Sequence, residues 1–124
     1  MKLTILDYYA TLDSGRLDDA VAMLAEDVEF AMVLPTGVNK KSGRAAMLDY
    51  LRGRPPVDRK HRILRSAADT GVQFAYGAVT DGGRVTGHFV GVVHVGPDGL
   101  IDRYQVSFDA EFALLPTDST QEDN

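Results

Sequence analysis

The reactive side chains in this sequence are few: three histidines, five tyrosines and no cysteine. Histidine titrates near neutrality and can move a proton at physiological pH. His61 is the best placed of the three, at the start of a strand-like run and beside Arg62 and Arg65. In a sheltered position it would serve as a general acid or base. As an ordinary strand-start residue it would face solvent, and both readings stay open at this level. Tyr8 and Tyr104 each carry a phenol that can donate to a ligand oxygen or, when buried, to a structural partner. His88 and His94 are six residues apart, which along a strand is about 20 Å at roughly 3.3 Å per residue. One ion cannot bridge that span, and no carboxylate is spaced to help, so no metal site is expected. Without cysteine there is no disulfide, thiolate ligand or thiol nucleophile. The serines lack a Gly-x-Ser-x-Gly setting, and "GVNKKSG" lacks the spacing of a phosphate loop. No cofactor is expected.

These groups need elements to position them. "LTILDYYATLDSG" has apolar residues at Leu3, Ile5, Leu6, Tyr9 and Leu12, the spacing of a helix that Gly15 closes. "RLDDAVAMLAED" predicts a second helix, joined to the first as a hairpin. A strand over about residues 28–34 follows, entirely apolar from Phe30 to Leu34, and stops at Pro35. "PTGVNKKSG" reads as a loop, with Ser42 as N-cap of a third helix, "GRAAMLDYLRG". Pro55-Pro56 makes "RGRPPVDRK" a linker. Four strand-like runs then follow, "HRILRSAAD", "VQFAYGAVT", "RVTGHFVGVVHV" and "LIDRYQVSF", separated by the turn signals "TG", "DGG" and "GPDG". The expected order is α-α-β-α-β-β-β-β. That is an α+β fold with a mostly antiparallel, strongly curved sheet wrapped over the helices, leaving a cone-shaped interior.

At 124 residues and 44% hydrophobic, the chain suits one globular domain, expected over residues 1–116. The acidic end, residues 117–124, is expected to be a disordered tail. No apolar run is long enough for a membrane span and the start does not read as a signal peptide, so the cytoplasm is the expected location. The net charge of −5 hides an asymmetry: between Lys40 and Arg65 nine basic residues face two acidic ones, giving that segment about +7 and the rest about −12. This is either a solvated surface or a positive rim that draws an anionic ligand or acidic partner. Nucleic acid is not expected, because the molecule is acidic and no aromatics interleave with these charges.

The stretches "YYATLDSGRLDDAVAMLAEDVEF", "KSGRAAMLDYL" and "VHVGPDGLIDRYQVSF", in this order, resemble the SnoaL-like branch of the nuclear-transport-factor-two-like superfamily over about residues 3–109. That superfamily includes ketosteroid isomerases, polyketide cyclases, epoxide hydrolases and dehydratases, and members without catalysis. The resemblance implies that Phe30, Met32 and Leu34 point into the cone, with Tyr104, Val106 and Phe108 from the last strand and Phe89 and Gly91 from the one before. It implies an oxyanion-donor role for Tyr8. It also implies that two known machineries are missing: Met32 stands where the isomerase branch has its catalytic Asp, Gly91 near its second acid, and Val106 where the epoxide hydrolases have theirs. The expectation is an apolar cavity that binds a medium-sized hydrophobic or amphipathic molecule, with Tyr8, His61 and Tyr104 as candidate catalytic residues. Isomerisation, cyclisation or dehydration is one reading, and a non-catalytic binding or interaction domain is the other. His88, Val90, Val92 and His94 share the opposite strand parity and predict an outer face that forms a homodimer.

Overall fold

The computed structural model describes residues 3–54 and 58–115. Three helices, α1 (Thr4–Asp13), α2 (Leu17–Val21) and α3 (Arg44–Arg52), pack on one face of a six-stranded sheet. The strands are β1 (Leu24–Leu34), β2 (Gly37–Ser42), β3 (Arg59–Asp69), β4 (Val72–Asp81), β5 (Arg84–Val95) and β6 (Ile101–Asp109), in spatial order β2-β1-β6-β5-β4-β3. Every neighbouring pair is antiparallel except β1 with β6, which is parallel, and the sheet does not close on itself. The architecture is the α+β cone that the sequence predicts.

Three local expectations are corrected. The second helix is only five residues long, because Leu24 already belongs to β1. The apolar run Ala22-Met23-Leu24 suits either state; pairing of Leu24 with Ile101 on β6 decides for the strand. The expected loop after Pro35 contains β2, so the true order is α-α-β-β-α-β-β-β-β. All six β2 residues are exposed, so no alternation marks this strand in the sequence. Its Lys40 and Lys41 suit an edge strand that must not recruit further strands. Finally, Ser42 ends β2, and the N-cap of α3 is Gly43. Gly43 takes φ 101°, a conformation that side chains disfavour, and its N–H donates to the Val28 carbonyl at 2.7 Å. The strand thus turns directly into the helix. The linker over residues 55–57 and the tail after residue 115 lie outside the described residues.

The core forms where α1 meets the sheet. Ile5, Tyr8, Tyr9 and Leu12 from α1 pack with Leu24, Val28, Phe30, Phe89, Val93, Ile101 and Tyr104, all buried. Each such side chain contributes about 1.5–3 kcal/mol on leaving water. Leu3 at the N-cap of α1 makes no side-chain cap, and the Ile5 N–H instead donates to Gln73 Oε1 on β4 at 3.0 Å. That bond ties the open end of the helix to the sheet.

Register fixes which face is which. Phe89 pairs with Phe108, Gly91 with Val106 and Val93 with Tyr104, while Met32 pairs with Val106 and Phe30 with Tyr104. All of these share one face, as strand parity requires, and that face meets the helices, as the resemblance implies. His88, Val90, Val92 and His94 lie on the outer face, where Phe74 and Val90 are exposed apolar residues. The segment after β6 returns to this face: the Leu114 N–H donates to Tyr76 Oη at 2.6 Å, and the Tyr76 ring stacks on His88. None of the described helices is long and apolar enough to cross a membrane.

Candidate active site

A cavity of about 790 Å³ opens between the helices and the wide end of the sheet. Its floor is apolar, formed by Met32, Leu34, Phe89, Val106 and Phe108, with Leu12, Ala46 and Leu51 from the helices. Polar groups converge on it from three elements: Tyr8 and Tyr9 from α1, His61 and Arg59 from β3, Tyr104 from β6. Asp49, Tyr50 and Arg54, on or just after α3, complete one wall with Lys41 of β2.

His61 is sheltered. Its side chain is 10% exposed, and its Nδ1 lies 2.8 Å from Asp13 Oδ1. The second carboxylate oxygen of Asp13 accepts the His61 backbone N–H. Asp13 is the last residue of α1. An acid at a helix C-terminus meets the negative end of the helix dipole, so this position is locally unfavourable. Its compensation is tertiary: the bonds to His61, and Lys60 Nζ donating to the Asp13 carbonyl at 3.0 Å. A carboxylate can only accept, so Nδ1 carries a proton, and in the neutral imidazole the lone pair is on Nε2. The imidazole is also held by rings, stacked on Tyr9 at 4.6 Å and edge-on to Phe89 at 5.0 Å. The result is a basic nitrogen of fixed tautomer and orientation beside an apolar cavity, the arrangement of a general base.

Three tyrosines stand nearby. Tyr9 and Tyr104 share a buried hydrogen bond, Oη to Oη at 2.6 Å. Tyr8 packs edge-on against both rings, at 5.6 and 5.7 Å. Its hydroxyl makes no hydrogen bond among the described residues, although the side chain is almost wholly buried and lines the cavity. Burial raises the pKa of all three phenols above the ordinary value. For Tyr8 the positive charge of Arg54 acts in the opposite direction, and for Tyr9 the bond to Tyr104 does so. Each phenol therefore stays protonated and available as a donor. Tyr9 and Tyr104 are tied to each other, whereas the Tyr8 hydroxyl bonds to none of the described residues.

A stability prediction follows from the same burial. A phenol whose pKa is higher folded than unfolded holds its proton in the native state after the unfolded chain has lost it. Stability is then complete below the unfolded value, about 10, and falls as pH rises past it. Each phenol removes about 1.4 kcal/mol per pH unit in that range. Denaturant titrations between pH 9 and 11.5 are expected to show a steep alkaline loss of stability, made shallower in Tyr8→Phe.

Of the residues singled out in the sequence, the structure brings Tyr8, His61, Tyr104, Met32, Leu34, Phe89, Val106 and Phe108 to the cavity. Phe30 lies on the same face but in the closed part of the core, outside the lining. Gly91 is also on that face, but the Tyr9 hydroxyl occupies the space over it. A methyl at position 91 would overlap that hydroxyl. Gly91→Ala is therefore expected to displace Tyr9, break its bond to Tyr104 and destabilise the fold by about 1–3 kcal/mol. Thermal melting against wild type checks this.

Sequence reasoning missed Asp13, Tyr9 and Arg54. Ile5, Tyr9 and Asp13 fall four apart on one stripe of α1, so an acid where an apolar residue would continue the stripe was the available signal. Arg54 likewise continues the Ala46-Tyr50 row past the end of α3. Most of the basic segment lies elsewhere. Arg62 and Arg65 are exposed and outside the lining, and only Lys41, Arg54 and Arg59 reach the cavity. Arg59 is already engaged by Asp81, with bonds of 2.8 and 3.1 Å, which hold the Asp81 carboxyl below the usual range. Among the described residues no group of three or more His, Asp or Glu side chains is placed to hold a metal ion.

The fold and the cavity have counterparts. A candidate ketosteroid isomerase from Kribbella flavida is 26% identical, with a TM-score of 0.70 over 94% of this chain and 83% of its own. A candidate polyketide cyclase from Xanthomonas campestris is 27% identical, with a TM-score of 0.69 over 86% of this chain and 87% of its own. An LEH-like epoxide hydrolase of M. tuberculosis shares the fold, with a TM-score of 0.71, 23% identity and coverage of 86% and 80%. No curated protein matches the chain. The family model of the SnoaL-like domain matches residues 5–104, and the chain belongs to that family.

Proposed function

We propose that the cavity binds a medium-sized hydrophobic or amphipathic molecule and moves a proton on it. His61 Nε2 removes a proton from carbon, and Asp13 stabilises the imidazolium that forms. Tyr8 donates to the oxygen on which the displaced electron pair arrives, and the same imidazolium can return the proton elsewhere on the ligand. Isomerisation, cyclisation and dehydration all share this proton movement. The observation that carries the reading is the His61–Asp13 pair at 2.8 Å in the wall of an apolar cavity that also holds the Tyr8 phenol. The names given to the Kribbella and Xanthomonas relatives, an isomerase and a cyclase, support the same reaction type. A binding role without turnover is the competing reading, favoured by Met32 and Val106 standing where related enzymes have acids.

A substrate-independent probe tests it. In 5-nitrobenzisoxazole one base removes the ring C–H proton, the N–O bond breaks, and the electron pair ends on a coloured nitrophenolate. The wild type should accelerate this opening with saturation. A rate no greater than that of free imidazole at equal concentration would favour the binding-only reading.

Homodimer formation through the outer sheet face is part of the same proposal, because exposed Phe74 and Val90 sit there beside Val92. Sedimentation at tens of micromolar is expected to give a dimer, and Val90→Lys a monomer.

A further inference from the structure

The unassigned charge at the cavity belongs to Arg54. It lies just past the C-terminus of α3, held there by its backbone N–H donating to the Leu51 carbonyl at 3.4 Å. It is partly buried, it lines the cavity, and among the described residues it has no hydrogen-bonded or ion-paired partner. The remaining charged groups of the wall are accounted for. Arg59 is bound by Asp81, His61 by Asp13, and Lys41 and Asp49 are exposed. The carboxylate on which its charge acts, Asp81, spends its hydrogen bonds on Arg59 and Thr86, so the Arg54 guanidinium, beside an apolar space, keeps its donors for what enters that space. It also shares the cavity with Tyr8, near enough that its charge acts on the Tyr8 phenol.

The geometry points to a carboxylate subsite: Arg54, with the Tyr8 hydroxyl available beside it, receives the single negative charge of a ring-bearing carboxylic acid whose apolar body lies on Met32, Phe89 and Val106. This inference rests on the reading of the cavity as a ligand site and names the class of ligand. A monoanionic carboxylate fits better than a phosphate. One guanidinium and one neutral phenol supply too few donors for a dianion, and Asp49 on the same wall would repel the second charge. A planar guanidinium can grip a carboxylate through two parallel bonds, which fixes the acid end and sets how far the body reaches toward His61. Arg54 is thus a positioning and specificity residue rather than a group that moves the proton.

A matched pair of probes tests this: 1-naphthaleneacetate and 1-naphthaleneacetamide, which share a body and differ in charge. Calorimetric titration of the wild type is expected to show the acid binding about tenfold more tightly, the size of one partly exposed charge-assisted contact. The advantage should shrink with added salt. Arg54→Gln should bring the acid down to the amide, and Arg54→Lys should restore part of the difference. Unchanged binding of the amide serves as the folding control for both variants. If the two compounds bind the wild type equally, or the preference survives in Arg54→Gln, the subsite is overturned while the cavity reading stands. If neither compound binds, the cavity reading falls and the subsite falls with it.

Discussion

His61→Ala is expected to lower turnover of 5-nitrobenzisoxazole by about 10²–10⁴-fold, the range for a positioned general base. The loss should fall on kcat, because the imidazole touches the reacting proton while the apolar floor, which supplies the binding, is left in place. Folding should change little in comparison. The imidazole is 10% exposed and packs on Tyr9 and Phe89, so its removal leaves a space next to a cavity already open rather than a sealed void. Asp13→Asn gives a related result by another route. The amide can donate to Nδ1, which favours the tautomer with its proton on Nε2, where the lone pair is needed. The loss should again appear in kcat with binding retained. Steady-state kinetics of the two variants, with melting temperatures recorded alongside, checks both statements.

Tyr8→Phe is expected to lower the rate by about 10²–10³-fold, the usual effect of losing one preorganised donor to an oxygen that gains charge. The fold should be nearly untouched, since the Tyr8 hydroxyl spends no hydrogen bond on the described residues and the ring contacts to Tyr9 and Tyr104 remain. Tyr104→Phe differs, because it strands the Tyr9 hydroxyl in the core after removing the 2.6 Å bond between them. A buried hydroxyl left unpaired costs about 1–3 kcal/mol, so that variant should lose stability as well as rate. The comparison separates a donor that acts on the ligand from one that holds the wall. A Tyr8→Phe enzyme at the wild-type rate would remove Tyr8 from the mechanism.

The inner face of the sheet was legible in the sequence because two-residue alternation and the turns "DGG" and "GPDG" fix both the strands and their parity. That is why Phe89 could be grouped with Gly91, and Tyr104 with Val106 and Phe108, on single faces of their strands; the family resemblance is what turned those faces toward the cavity. Strand β2 was not legible, because an edge strand with every residue exposed has no alternation to detect. The end of α2 was obscured by residues that suit helix and strand equally. The site was legible only by halves. His61 could be named, but its value depends on Asp13, which lies 48 residues away in the chain and meets it only when α1 packs on β3. Tyr9 read as a core residue, and it is one, yet its hydroxyl reaches Tyr104 only because position 91 is glycine. Such tertiary couplings leave no mark in local spacing. The resemblance to the isomerase and hydrolase branches drew attention to Met32 and Val106, the positions where acids are missing, whereas the basic group enters from β3.

The central claim is that His61 and Asp13 act as one base. The measurement that tests it most directly is the rate of 5-nitrobenzisoxazole opening in His61→Ala, Asp13→Asn and the double variant. Groups that act as a unit give losses that do not add. The double variant should therefore be no slower than His61→Ala alone. A double variant slower by the product of the two single losses, or a His61→Ala protein that retains the wild-type rate, would contradict the account.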